Sequence, residues 1–177
     1  MSSFVNRMLR AAKLDVNLYE EVEADRGAMR QAMGVVILSS LAYGLGTIGR
    51  AGMPGILIGT ISALIGWYIW AYLTYFIGTR FLPEAQTRAD HGELLRTIGF
   101  SSSPGLIRIL AIFPPLEAIV LTVASIWMLV AMVIAVRQAL DYRSTLRALA
   151  VCGIGWIIQT LILVLFLMIF RGRVAGT

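Results

Sequence analysis

Two charged side chains lie beside or within long apolar stretches of this sequence, Arg108 and Glu117. A guanidinium group in hydrocarbon must extend to the interface, pair with an acid or face water. Glu117 is the acidic residue within reach of the same predicted hairpin, so Arg108 either extends to the near interface or pairs with Glu117. If Arg108 faces a cavity instead, its charge suits an anionic lipid headgroup.

An aromatic face follows from the second apolar stretch, where Tyr68, Tyr72 and Tyr75 recur at helical spacing. Such a face suits a lipid tail, a quinone or a pigment, while packing between helices is its more ordinary role. The candidate partner or lipid contacts are therefore Trp67, Tyr68, Trp70, Tyr72, Tyr75, Arg108 and Glu117.

Catalytic and metal-binding motifs are missing from the sequence. We find no glycine-rich phosphate loop, no HExxH and no Ser/His/Asp set. His91 stands near Asp90 and Glu93, but the paired histidine or cysteine spacing of a metal site is absent, which favours a solvated loop histidine. The sequence predicts a protein that is not an enzyme and has no cofactor or metal.

Composition places the chain in a membrane. Of its 177 residues, 58% are hydrophobic and 14% are charged, whereas soluble domains average about 25% charged residues. The net charge of +5 comes from basic residues that flank apolar stretches. Positive charge in that position sets topology and attracts anionic lipid, so we expect no nucleic-acid partner.

The pattern predicts an all-α, polytopic bundle of five transmembrane helices. The spans are expected at 31–49, 55–79, 104–113, 118–136 and 148–170. Ser103 and Pro104 are typical of a helix start, and Pro114 and Pro115 of a helix end. At about 1.5 Å per residue the third element is half a bilayer long, so it is either a half-helix or continues back through Gly99 with a kink. An amphipathic helix over the preceding loop, residues 80–100, is expected to lie on the membrane.

The N-terminal segment, residues 1–30, is predicted to be helical, amphipathic and acidic. Arg7, Arg10 and Lys13 recur beside an apolar stripe, which is typical of a helix in the headgroup plane with its basic side chains toward phosphates. A cap that packs on the loops fits the pattern equally well. The acidic cluster from Glu20 to Asp25 is expected to form a solvated face answered by the following arginines. Residues 31–170 would form the membrane domain and 171–177 a short tail.

The number of basic residues on each side of the membrane predicts the topology. With the N-terminus in the cytoplasm, the cytoplasmic side holds Arg7, Arg10, Lys13, Arg26, Arg30, Arg80, Arg88, Arg96, Arg137, Arg143 and Arg147. The other side holds Arg50, Arg171 and Arg173. We therefore expect the N-terminus inside and the C-terminus outside.

The stretch from Gly99 to Pro104 reads G-F-S-S-S-P and leads into a short apolar helix and a proline corner. It resembles the G-Y-x-x-x-P motif of the Yip family, with Phe100 where tyrosine is usual. The lead-in at residues 18–22 and the loop after Arg137 are similar to prokaryotic members, and the likeness covers residues 17–170. The resemblance implies a small five-span membrane protein of the prokaryotic type, in the cytoplasmic membrane.

Eukaryotic relatives act with Ypt/Rab GTPases through a longer cytosolic N-terminus. This chain has residues 1–30 there and lacks a D-L-Y-G-P type motif, so no Rab-type partner is expected. The leading functional hypothesis is a scaffold or accessory subunit that packs against membrane lipids and other integral membrane proteins or a second copy. The alternative is a transporter or lipid-handling protein that uses the broken third helix.

Overall fold

The computed structural model describes the backbone of residues 3–174 and the side chains of that range apart from 51, 163 and 165–174. Its helices are α1 (Phe4–Ala12), α2 (Val16–Ala24), α3 (Ala28–Gly46), α4 (Ile48–Arg80), α5 (His91–Phe100), α6 (Glu117–Ala139) and α7 (Thr145–Val174). A 3₁₀ helix (Ser103–Ile112) and a 3₁₀ turn (Pro114–Leu116) join α5 to α6. The predicted all-helical fold is confirmed for this part of the chain.

Four of these helices are long and apolar enough to cross a membrane. They cover Ala28–Gly46, Gly52–Arg80, Pro114–Ala139 and Thr145–Ile162. Of the tail predicted over 171–177, the backbone through Val174 continues α7, and the rest lies outside the described residues. The side chains of Arg171 and Arg173, which the topology prediction counted, also lie outside the described residues.

Between the first two predicted spans, the backbone is helical on both sides of a break at Gly52. Gly52 adopts φ 62° and ψ −174°, a conformation that side chains disfavour, and Pro54 follows it. Because proline tolerates the first turn of a helix, the chain leaves α3 through Thr47, bends at Gly52 and enters the apolar part of α4 without a separate loop.

The element between α4 and α6 differs most from expectation. α5 is not the freely exposed amphipathic helix that the pattern indicated, because all its residues from Leu94 to Phe100 are buried. The 3₁₀ helix that follows has ten residues, where three or four are usual, and spans about 20 Å at about 2 Å per residue. Ser103 makes no capping bond, and its hydroxyl is buried without a hydrogen-bond partner. Pro114 ends this helix as predicted.

The 3₁₀ helix packs tightly on α3 because glycines face it. A Cβ at Gly46 would collide with the backbone carbonyl of Arg108, and one at Gly105 would collide with the hydroxyl of Ser39. Small residues therefore hold this irregular element against a regular span, as they do between membrane helices generally.

The N-terminal pair α1 and α2 packs on the bundle and does not point its arginines toward phosphates. The side chain of Arg7 is 5% exposed and pairs with Glu21 at 2.9 Å and with Asp25 at 2.8 Å. Arg10 pairs with Asp15 and Glu21. The predictions of phosphate-facing arginines and of an acidic cluster answered by Arg26 and Arg30 are therefore wrong.

These pairs shift the titration of the carboxyls involved. The hydrogen bond from Arg7 lowers the pKa of Asp25 below its ordinary value, and the hydrogen bond from Arg10 does the same for Asp15. Arg96 of α5 completes the docking, since its guanidinium donates to the backbone carbonyl oxygens of Val22 and Glu23 at the end of α2.

Candidate functional site

A cavity of about 820 Å³ lies between α3, α4, the α5–3₁₀ segment, α6 and α7. Its walls are mostly apolar, with methionine and tryptophan side chains from three helices. Its polar lining groups are Ser39, Ser40, Ser101, Ser102, Arg108, Ser125 and Gln159. The volume falls within the range of about 300–1,000 Å³ that is typical of small-ligand pockets.

Three of the five serines that line the cavity donate their hydroxyl protons to carbonyl oxygens of their own helices. Ser40 donates to the carbonyl oxygen of Ile37 at 2.8 Å, Ser101 to that of Ile98 at 2.7 Å and Ser125 to that of Leu121 at 2.7 Å. Each hydroxyl proton is thereby engaged, and the oxygen lone pairs are what these serines can offer to a guest.

Arg108 is the charged group of the cavity wall. Its guanidinium carbon lies 5.5 Å from the centre of the Tyr43 ring, a cation–π geometry. Among the side chains that the structure describes, no carboxylate pairs with Arg108. The guanidinium therefore retains donors that an anionic or carbonyl oxygen could accept.

The predicted pair of Arg108 with Glu117 is wrong, because Glu117 pairs with Arg50. The Arg50 nitrogen and the Glu117 carboxylate oxygen are 2.7 Å apart, but the angles are not those of a hydrogen bond. We therefore describe the contact as an ion pair. It joins the α4 kink region to the start of α6, at the end of the bundle away from α1 and α2.

The two tryptophans among the candidates line the cavity. The indole N–H of Trp67 donates to the carbonyl oxygen of Leu95 at 3.0 Å, which fixes α4 against α5. The indole nitrogen of Trp70 is buried and has no hydrogen-bond partner. A buried indole N–H without an acceptor is costly to the folded state.

The three tyrosines lie elsewhere and surround His91. The His91 ring is 4.9 Å from that of Tyr68 and 5.7 Å from that of Tyr72, both edge to face, and 6.4 Å from that of Tyr75. His91 is therefore a packing residue and not a solvated loop histidine. Asp90 and Glu93 form a capping box for α5, and no group of metal ligands is found among the described residues.

Sequence reasoning thus found three wall residues, Trp67, Trp70 and Arg108, and missed the rest. Met128 and Met132 of α6 and Cys152 of α7 also line the cavity. Their residue types are ordinary in a membrane span, so only the arrangement of helices reveals their role. The serines gave a weak signal, as polar residues inside apolar stretches.

A second, polar cleft of about 490 Å³ opens where α2 meets α5 and α6. Its acidic residues are Glu20, Glu23, Glu93 and Asp141, and its arginines are Arg137 and Arg143. Burial, followed by the negative charges of Glu93, Asp141 and Glu20, raises the pKa of Glu23 to about 7. The cleft therefore holds one carboxyl group that titrates near neutral pH.

Comparison with known proteins identifies the family. No curated protein and no solved structure matches the chain. The Yip1 domain matches residues 19–167, which include α3–α6 and most of α2 and α7. The matched segment contains every residue that lines the cavity. The chain therefore belongs to the Yip1 domain family of membrane proteins.

Proposed function

We propose that this protein is a non-enzymatic membrane protein that binds a membrane lipid in the cavity between its helices. The observation that carries the proposal is the 820 Å³ cavity itself, apolar over most of its wall and lined by one charged residue, Arg108. Acyl chains match the methionine and tryptophan walls, and an anionic headgroup matches the guanidinium. Polar groups inside a membrane bundle usually mark such sites.

The proposed topology has five crossings, with α5 and the 3₁₀ helix together making the third. Ten α-helical and ten 3₁₀ residues extend about 35 Å, enough to cross a hydrocarbon core of about 30 Å. Tyr142 supports this arrangement, because its hydroxyl contacts the carbonyl oxygens of Gly78 and Leu82 and joins the α6–α7 loop to the end of α4. The N-terminus would be cytoplasmic and the C-terminus outside, in a prokaryotic cytoplasmic membrane.

Cysteine labelling in intact cells or right-side-out vesicles tests the five crossings. In a Cys152→Ser background, cysteines at Met53 and Leu116 should react with an impermeant maleimide from the outside. A cysteine at Asp90 should react only from the inside. Reaction of Asp90→Cys and Leu116→Cys from the same side would contradict the third crossing.

The lipid site is tested by filling the cavity. Gly66 and Gly153 line it, and a Cβ at either position meets no atom within 4 Å. We expect Gly66→Leu and Gly153→Leu to purify with less bound phospholipid than wild type by native mass spectrometry. Gly59→Leu is the matched control, because Gly59 is equally open but does not line the cavity. Equal retention by all variants would refute the proposal.

A second candidate function, as a scaffold or accessory subunit, is favoured by the surface of α4. Only 11% of its most apolar stretch is buried, against 39% for α3. Such a face leaves room for another integral membrane protein or a second copy. Cross-linking at Ile61→Cys in native membranes should then give a defined adduct, and a monomer that purifies alone would argue against this function.

A further inference from the structure

One end of α1 contacts α3 one turn beyond Arg30, and the other end contacts α6 well inside its apolar length. The ring of Phe4 lies 3.5 Å from where a Cβ on Gly34 would stand. Gly34 is about 9 Å along α3 from its start at Ala28, at about 1.5 Å per residue. At the other end, the indole N–H of Trp127 donates to the carbonyl oxygen of Ala12 at 2.8 Å. These contacts place α1 across the bundle, inside the polar ends of α3 and α6.

The two arginines of α1 pair with carboxylates of α2 and of the residues that flank it. Arg7 forms ion pairs with Glu21 and Asp25 and donates to the side-chain oxygen of Gln31 at 3.0 Å. Arg10 donates to Asp15 at 2.7 Å. Pairing lowers the cost of placing these arginines at membrane depth, while the side chains of Asp25, Arg10 and Glu21 stay 27%, 28% and 32% exposed.

The opposite side of α1 is uncovered and carries Val5 and Leu9, with exposed Asn6 beside them and exposed Lys13 one turn beyond Leu9. Val5 is 62% exposed and Leu9, one turn later, is 57% exposed. The exposed surface continues onto α6, where Val123 and Val130 flank Trp127 on the same helical face. Val5 and Leu9 therefore extend the surface that α6 presents to lipid. Water is an unfavourable neighbour for this patch, and hydrocarbon is a favourable one.

We propose that α1 is an in-plane helix embedded in the acyl layer of the cytoplasmic leaflet, with Val5 and Leu9 in contact with lipid chains. The helix is inverted relative to a usual interfacial helix, since its arginines point inward to α2 and not to phosphates. It widens the cytoplasmic side of the bundle and leaves the outer side unchanged. The inference is independent of the lipid cavity, because α1 contributes no wall residue to it.

Depth measurement on the full chain tests this placement. Nitroxide labels at Val5→Cys and Leu9→Cys, in a Cys152→Ser background, are measured in vesicles of phosphatidylcholine and phosphatidylglycerol. We expect both labels to collide with oxygen and to be protected from an aqueous nickel chelate. Arg26→Cys, an exposed position between α2 and α3, is the matched control and should show the reverse.

Two outcomes would overturn the proposal. Labels at positions 5 and 9 that meet the nickel chelate as readily as position 26 would place α1 in water. Labels protected from both relaxants would mean that protein covers this face. As a second variant, Leu9→Lys should raise nickel access at Val5→Cys several-fold, while Leu9→Met should leave it unchanged. Equal access in these two variants would also overturn the proposal.

Discussion

The N-terminal helix pair and the central cavity both bury polar groups, but they treat them in opposite ways. Arg7 has two carboxylates and one amide oxygen as partners. Arg108 has the face of one aromatic ring, and the indole nitrogen of Trp70 has no partner. One region uses its hydrogen-bonding capacity internally, and the other leaves part of it unpaired in the described structure.

Under the proposed function, this difference separates the groups that stabilise the fold from those that bind lipid. A buried charge with satisfied partners stabilises a unique packing, and its removal exposes the cost of the partners left behind. A buried donor without a partner costs stability and is retained where a ligand can satisfy it. Substitutions in the two regions should therefore affect different measurements.

The largest loss of stability is expected from Arg7→Met. Glu21 and Asp25 would lose their buried counter-charge, and the free energy of unfolding should fall by about 3 kcal/mol. Denaturant titration in detergent micelles measures this change. Arg26→Met is the control at an exposed site and should change stability by less than about 0.5 kcal/mol. A small effect of Arg7→Met would remove the distinction between the two regions.

A smaller loss is expected from Tyr142→Phe. Its hydroxyl is 3.0 Å from the carbonyl oxygen of Gly78 and 2.7 Å from that of Leu82, and burial raises its pKa to about 12. Removing the hydroxyl should cost about 1 kcal/mol in the same titration. Tyr72→Phe, on the exposed face of α4, is the control. Equal effects would argue that the α6–α7 loop does not depend on this bond.

The polar cleft predicts a pH dependence carried by Glu23. Its pKa in the folded protein is about 7, above the unfolded value of 4.5. The folded state therefore binds this proton more tightly, and the stability it contributes at low pH is lost as pH rises from about 4.5 to 7. The melting temperature in detergent should decline over this interval. Glu23→Gln should flatten the decline, and an unchanged slope would contradict the assignment.

The smallest effect on stability is expected from Arg108→Met. The contact with Tyr43 is of a kind that contributes about 0.5–1 kcal/mol, and methionine avoids the cost of burying a charge. We expect a net change within about 0.5 kcal/mol and a clear fall in co-purified anionic phospholipid by native mass spectrometry. A large loss of stability would place Arg108 in the same class as Arg7.

Local sequence patterns predicted the helices well, but they could not predict which residues far apart in sequence form ion pairs. The apolar stretches gave the four spans, and Pro114 gave the end of the 3₁₀ helix, because both depend on neighbours in sequence. Arg7 was assigned to phosphates, since its partners Glu21 and Asp25 lie fourteen and eighteen residues away and nearer arginines satisfied the pattern. The partner of Glu117 was missed for the same reason, as only the bundle brings Arg50 beside it.

The cavity is the central claim, and a photoactivatable phospholipid tests it most directly. Phosphatidylglycerol with a diazirine on its acyl chain should label Met128 and Met132 within the cavity when the purified protein is irradiated in micelles. Unlabelled phosphatidylglycerol should compete, and Gly153→Leu should reduce the labelling. Adducts confined to outward-facing residues such as Ile119 and Ile126, with none at Met128 or Met132, would contradict a lipid in the cavity.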